Sequence, residues 1–264
     1  MDDNQLPVNM DDALLLAADA ARVMLESGGE TYRAEDVAVA VASSLGGAEA
    51  ECYATPTGVT LSFVGIDGRV HSIIKRIKRR AMHLERIALV DKLARDLVAG
   101  EKDFESASTE LDRIERLPGL KVAYSCAAAA IGAGFFTLLF HGMWNDALVA
   151  AAAGIVVSRF PPVMARRQMP DFFTNLFAAA VGAFLCLGGK ELGLVANADA
   201  AVIGMLMLLV PGVAVTNAIR DTIAGDLVAG VARGADALLA AVAISVGAGA
   251  TYQLWRLLSG GALP

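Results

Sequence analysis

The sequence predicts a mostly α-helical membrane protein in two parts. A cytoplasmic α+β domain with the element order αα-βββ-αα is expected over residues 1–119, and a bundle of about five transmembrane helices over 120–264. Three observations lead there. Hydrophobic residues make up 56% of the 264 positions and charged ones 19%, with a mean hydropathy of +0.54; soluble domains run at about 45–50% and about 25%. The charge is unevenly spread, because residues 1–121 hold 15 of the 22 lysines and arginines. After Lys121 come apolar runs long enough to cross a bilayer, since ~20 residues at ~1.5 Å rise traverse a ~30 Å hydrocarbon core.

In the first part, Leu14, Ala17, Ala18, Ala21, Met24 and Leu25 recur at helical spacing within residues 10–27. Ser27-Gly28-Gly29 stops that helix, and Gly28-Gly29, like Thr57-Gly58, reads as an ordinary turn. A second helix is expected over Arg33–Leu45, ended by Gly46-Gly47. The period then switches to two. Glu49–Ala54 and Val59–Val64 are strands parted by Pro56 and Gly58, and Val70–Ile74 is a third after the hairpin signal Asp67-Gly68. Two helices follow, near Leu84–Val98 and Phe104–Ile114.

The first thirty residues carry seven acidic residues and one arginine, so no secretory leader is expected. Cys52, Cys126 and Cys186 show no CxxC spacing and form no disulfide framework. The basic run Lys75-Arg76-Ile77-Lys78-Arg79-Arg80 reads as a solvated face or a lipid contact, and a chain of net charge −6 gives no reason to expect nucleic acid. His71 and His83 lack partners at ligand spacing, and neither a nucleophile–base pattern nor a phosphate loop is present. No metal, cofactor or enzymatic activity is therefore expected.

In the second part, Val122–Phe140, Phe172–Gly189, Ala200–Ile219 and Ala237–Trp255 are spanning runs. Ala147–Ser158 is shorter, covering roughly 18 Å, and spans only by borrowing Met143–Asp146 or Phe160–Val163, with Asp146 snorkelling to the headgroups. Spans are thus expected near 122–140, 144–159, 171–189, 199–219 and 236–255. With the N-terminus inside, residues 1–121 and the loops Arg159–Met169 and Arg220–Arg233 hold 20 lysines and arginines, against two on the other side. The positive-inside rule then puts the N-terminus in the cytoplasm and the C-terminus outside. Small residues such as Ala127–Ala130, Ala150–Gly154 and Ala178–Gly182 permit close helix packing.

Polar groups at membrane depth are costly and mark candidate sites. Pro211-Gly212 falls near the middle of the fourth span, where proline should kink or break the helix and free backbone groups for a substrate. Thr216 with Arg220, and Asn217 with Asp221, share helix faces at i and i+4. Arg220 suits a carboxylate and Asp221 an ammonium, although the same residues equally suit a cytoplasmic loop. Asp226, Asp171 and Asn175 are candidates for coupling or gating, and Pro161-Pro162 and Pro170 punctuate the loop before the third span.

Val210-Pro211-Gly212, followed by Asn217, Asp221, Gly225-Asp226, Gly230 and Arg233, resembles the signature of the threonine/serine exporter family. Ser27-Gly28-Gly29-Glu30-Thr31 with Arg33-Ala34-Glu35, and Ala54-Thr55-Pro56-Thr57-Gly58-Val59, resemble its cytoplasmic domain. The resemblance implies a bacterial inner-membrane exporter of threonine and serine driven by the proton-motive force. Full-length members resemble two unequal repeats, and a chain ending after five spans resembles the split form, in which a second small membrane protein supplies the other half. Split members are also associated with dicarboxylate (succinate) export. The expected function is thus a subunit of a secondary-active exporter of a small polar or anionic metabolite. The alternative is an accessory or sensory subunit whose cytoplasmic domain binds a ligand or partner. A homo-oligomer is compatible with the sequence.

Overall fold

The computed structural model describes residues 9–78 and 80–258. Two compact units emerge, one taking residues up to Gly119 together with Ala214–Gly234, the other Leu120–Val213 with the residues from Ala235 on.

The first unit opens with α1 (Met10–Glu26), whose N-terminal amides are capped by Asn9, and α2 (Thr31–Ser44). A meander of β1 (Ala48–Thr55), β2 (Gly58–Val64) and β3 (Val70–Arg76) follows, antiparallel in the order β1-β2-β3 with Tyr53, Thr60 and Ile74 side by side. Val59, Leu61 and Phe63 alternate into the core, as the two-residue period requires. Then come α3 (Leu84–Val98), capped by His83, and α4 (Phe104–Glu115), capped by Asp103. Met24, Val41, Leu61, Phe63, Val90, Leu93 and Ile114 form one core from both helix pairs and the sheet. These boundaries agree with the expected ones to within two residues; α2 starts at Thr31 rather than Arg33. Of the basic run, Lys75 pairs with Asp19 at 3.2 Å and Ile77 is buried, while Arg79 lies outside the described residues.

Residues 214–234 bring α10 (Gly212–Ala224) and the start of α11 (Leu227–Leu258) into this unit. The expected Arg220–Arg233 loop is instead helical on both sides of a two-residue turn. Gly225 sits at φ +100°, where a side chain would be strained, and Asp226 N–H closes the turn on the Asp221 carbonyl at 2.8 Å. The helix expected to begin near residue 236 therefore starts at Leu227.

The second unit holds α5 (Val122–Leu139), α6 (Trp144–Val157), α7 (Phe160–Arg166), α8 (Asp171–Glu191), α9 (Ala198–Leu206) and the remainder of α11. Among the described residues, four helices are long and apolar enough to cross a membrane: Val122–Leu139, Trp144–Arg166, Asp171–Glu191 and Leu227–Leu258. The region expected as the fourth span is two short helices, α9 and α10, separated at Met207–Pro211. The core is built from alanines, including Ala133, Ala150, Ala153, Ala178, Ala183 and Ala201, around Leu187 and Met205. Such side chains let backbones approach closely. At the α5–α9 crossing, a Cβ on Gly204 would stand 2.5 Å from the Thr137 backbone nitrogen.

Two further expectations are corrected here. The Arg159–Met169 loop contains helix α7, because Pro161 and Pro162 fall in its first turn, where a missing N–H leaves no intrahelical bond unmade. Asp146 does not snorkel. It is fully buried, its Oδ2 accepting from Met143 N–H at 2.8 Å and its Oδ1 from Ala196 and Asn197 N–H at 2.6 and 3.1 Å. Three amide donors replace the water that a carboxylate needs.

Candidate functional site

Pro211 lies between α9 and α10, and Gly212 opens α10. Through the interruption, Leu208 and Leu209 N–H donate three residues back, to Met205 and Leu206, in place of the regular four-residue ladder. Asp171 begins α8, with Asn175 one turn on; both belong to the second unit. Thr216, Asn217, Arg220 and Asp221 ride on α10 in the first unit, with Thr216 exposed and Asn217 and Asp221 buried.

The polar face of α10 and the start of α11 meet the segment between α1 and α2. Asp221, with no exposed surface, accepts Thr31 N–H on Oδ1 and the Thr31 hydroxyl on Oδ2, both at 3.1 Å. Arg233, also buried, places Nε 2.8 Å from Asp221 Oδ2 and donates through Nη2 to the Gly29 carbonyl at 2.7 Å. Asn217 Nδ2 donates to the Gly28 carbonyl at 3.0 Å. Arg220 Nη1 lies 2.6 Å from Glu30 Oε1, and Arg33 stands 3.3 Å from the other oxygen. The first-turn amide of α2, which has no partner in its own helix, is thus capped by a carboxylate from a distant part of the chain.

Of the expected site residues, the first unit brings together Asn217, Arg220 and Asp221, with Asp226 at the end of the same turn. Glu30, Thr31, Gly29, Glu35 and Arg233 complete the cluster and were not singled out by chemistry. Gly28-Gly29 is more than an ordinary turn, since its carbonyls are the acceptors for Asn217 and Arg233. The available signal was that these positions carry the family resemblance; nothing in local spacing pairs residue 31 with residue 221.

Several carboxylates crowd this face. Burial opposes the charge on Glu30, yet its own backbone amide and the Arg220 and Arg33 guanidiniums together hold its carboxyl below the ordinary value. Burial pushes Glu35 up despite a hydrogen bond from Ala54 N–H at 2.7 Å, and Asp226, Asp36 and Asp221 push the same way. Asp226 is likewise raised, by burial and then by Asp221 and Asp36. A carboxyl raised in the folded state keeps its proton where the unfolded chain has lost it. Its stabilising contribution is therefore complete below the ordinary 4.5 of Glu35 and is lost as pH rises through the raised value. Glu35→Gln retains an oxygen for Ala54 and removes the charge. Thermal unfolding of the variant is expected to be less sensitive to pH from 4.5 upward, with a higher midpoint than the parent at neutral pH. An unchanged pH slope would refute the assignment.

The family described as "Putative threonine/serine exporter" matches residues 15–255, nearly the whole chain. The chain belongs to the threonine/serine exporter family. Within this exporter family it is 26% identical over 235 residues to a "Probable threonine/serine exporter" of Mycobacterium tuberculosis, covering 86% of this chain and 43% of that protein. It is 24% identical over 258 residues to the "Threonine/serine exporter" of Corynebacterium glutamicum, covering 92% and 51%. The chain thus spans about half the length of these two relatives. It is also 25% identical over 255 residues to a "Probable succinate transporter subunit YjjP" of Klebsiella aerogenes, covering 92% and 93%. No solved structure matches. Exporter-family membership and four helices of spanning length make this an integral membrane protein.

Proposed function

We propose that the chain is one part of a secondary-active exporter that moves a small polar metabolite with a carboxylate out of the cytoplasm. The candidates are threonine or serine and a dicarboxylate such as succinate, the cargoes named for its relatives. The observation that carries this reading is the interruption at Met207–Pro211 within an apolar stretch. Unpaired backbone groups are tolerated at membrane depth only against protein or a water-filled cavity, and transporters build their substrate sites at such breaks.

In this reading a fifth crossing lies near residues 199–219, and the excess of lysine and arginine keeps residues 1–119 in the cytoplasm of a bacterial inner membrane. Pro211, Gly212, Thr216, Asn217, Arg220 and Asp221 are the candidate substrate contacts, and Asp171 and Asn175 candidates for gating. Asp226, with its raised carboxyl, is the candidate carrier of a coupled proton. A second small membrane protein supplies the remaining half, in keeping with the subunit name carried by the Klebsiella aerogenes relative.

The test is efflux of labelled threonine, serine and succinate from preloaded proteoliposomes, with the chain alone and with its second membrane protein, with and without a proton gradient. Gradient-dependent efflux of one cargo that needs both proteins is expected. Efflux of none of the three from correctly folded protein would overturn the export reading and favour an accessory or sensory subunit.

A further inference from the structure

Between Gly68 and Val90 the sequence places seven lysines and arginines against one acid, Glu85, in a chain whose net charge is −6. Arg76, Lys78 and Arg80 are exposed, and neither Arg76 nor Lys78 forms an ion pair among the described residues. Apolar side chains stand open among them: Ile74, Met82 and Leu84 are 70%, 50% and 70% exposed.

The segment after β3 is an ordered strap. Ala81 N–H donates to the Glu26 carbonyl at 2.8 Å and His83 N–H to the Ser27 carbonyl at 3.0 Å, across the end of α1. The far end of the strap is tied to the residues that lead into the membrane. His83 Nε2 meets the Pro118 carbonyl at 3.3 Å, and Arg86 Nη2 donates to the Leu117 carbonyl at 2.5 Å. The first helix of spanning length, α5, starts at Val122, four residues after Pro118. Four residues of chain reach at most ~14 Å, and a headgroup layer is about 5–8 Å deep. The covalent chain therefore holds the His83 end of the strap within roughly one Debye length, ~8–10 Å, of lipid phosphates.

We propose that Arg76–Leu84 is a membrane-docking strap: its cationic groups take the phosphates of anionic lipids in the leaflet that α5 enters, and Met82 and Leu84 enter the boundary between headgroups and acyl chains. An acidic protein is repelled by an anionic surface, so a single basic face decides which side meets it. Exposed apolar side chains beside that face gain by burial at the boundary, as in amphipathic anchors. The proposal needs only that the chain spans a membrane and does not rest on the export reading. Docking also reaches the candidate site, since a Cβ on Gly28 would stand 2.8 Å from Met82 Cε and the Gly28 carbonyl accepts Asn217.

Two measurements on the full chain in nanodiscs test the proposal. The discs are of phosphatidylcholine alone or with about a third phosphatidylglycerol. Each lysine or arginine near an anionic surface adds about fivefold to the attraction. Hydrogen exchange over residues 78–84 is therefore expected to slow about tenfold or more in the anionic discs, with no change in α4. Salt at about 1 M, which shortens the Debye length to ~3 Å, should remove the effect, and Arg76→Gln with Lys78→Gln should remove most of it. Equal exchange in the two kinds of disc overturns the proposal, as does equal slowing in α4. Protection reproduced in neutral discs by soluble glycerol phosphate also overturns it, because the run would then be a site for free phosphate.

The second measurement is quenching by lipids brominated on the acyl chain. Leu84 and Val98 are the two ends of α3, about 21 Å apart. Leu84→Trp is expected to be quenched beyond the parent background, and Val98→Trp is not. No added quenching of Leu84→Trp, or equal quenching at both ends, overturns the docking. If Leu84→Trp does not fold, the exchange comparison on the parent chain decides.

Discussion

Asp221→Ala is expected to destabilise the first unit by about 3–5 kcal/mol, the usual cost of breaking a buried ion pair by removing one partner. The substitution strands Arg233, whose side chain is 7% exposed, beside a vanished carboxylate, and leaves Thr31 N–H without its acceptor. Arg220→Ala provides the contrast. Its partner Glu30 is mostly buried, but the Arg220 side chain is 57% exposed, so the pair is screened and its loss should cost about 0–1 kcal/mol. Replacing both members of the inner pair, as Asp221→Leu with Arg233→Met, should recover most of the loss, because neither charge is then left buried alone. Hydrogen exchange at the amides of α2 reads the opening free energy in each variant. A cost for Asp221→Ala as small as that for Arg220→Ala would show that the pair does not hold this face together.

Gly204→Ala is expected to cost about 1–3 kcal/mol or more, the range for forcing an extra carbon into a packed interior. The new methyl would meet the backbone of Thr137, which cannot rotate aside as a side chain can, so α5 and α9 must separate. That separation would also disturb Met205, buried in the same alanine-rich core. Gly249→Ala is the matched control, since nothing lies within 4 Å of its added carbon and alanine favours the helix. Thermal unfolding in detergent should show a marked loss for the first variant and a change within about 0.5 kcal/mol for the second. Equal behaviour of the two would refute the close α5–α9 crossing.

The sequence made most of the first unit's elements readable because their signals are local. The helical spacing from Leu14 to Leu25, the alternation of Val59, Leu61 and Phe63, and the Asp67-Gly68 turn each declare themselves within a few residues. The interruption at Pro211 was readable for the same reason, since proline acts on its own helix. What failed to show involves partners far along the chain. Hydropathy counts Arg233 as a residue for water and so hides the first turns of α11, yet its charge is answered by Asp221. Asp146 looked like a group needing the membrane surface because the amides of Ala196 and Asn197 are about fifty residues away. Pro161-Pro162 read as a loop because a proline pair breaks a helix everywhere except its first turn. At the candidate site, Asn217, Arg220 and Asp221 could be named from their spacing, but not the Gly28–Thr31 segment they grip. Both stretches carried the family resemblance without indicating that they meet.

The Asp221–Thr31 contact joins positions 190 residues apart, which sets an order of assembly in the cell. At a synthesis rate of about 5–20 residues per second, roughly 10–40 s separate the emergence of α2 from that of its cap. Throughout that interval the amide of Thr31 and the carbonyls of Gly28 and Gly29 lack the partners that later enclose them. The newborn N-terminal region must therefore wait, incompletely satisfied, until helices made at the membrane deliver Asn217, Asp221 and Arg233. A chain that ends before residue 233 leaves the Gly29 carbonyl and the Asp221 carboxylate without the guanidinium that joins them.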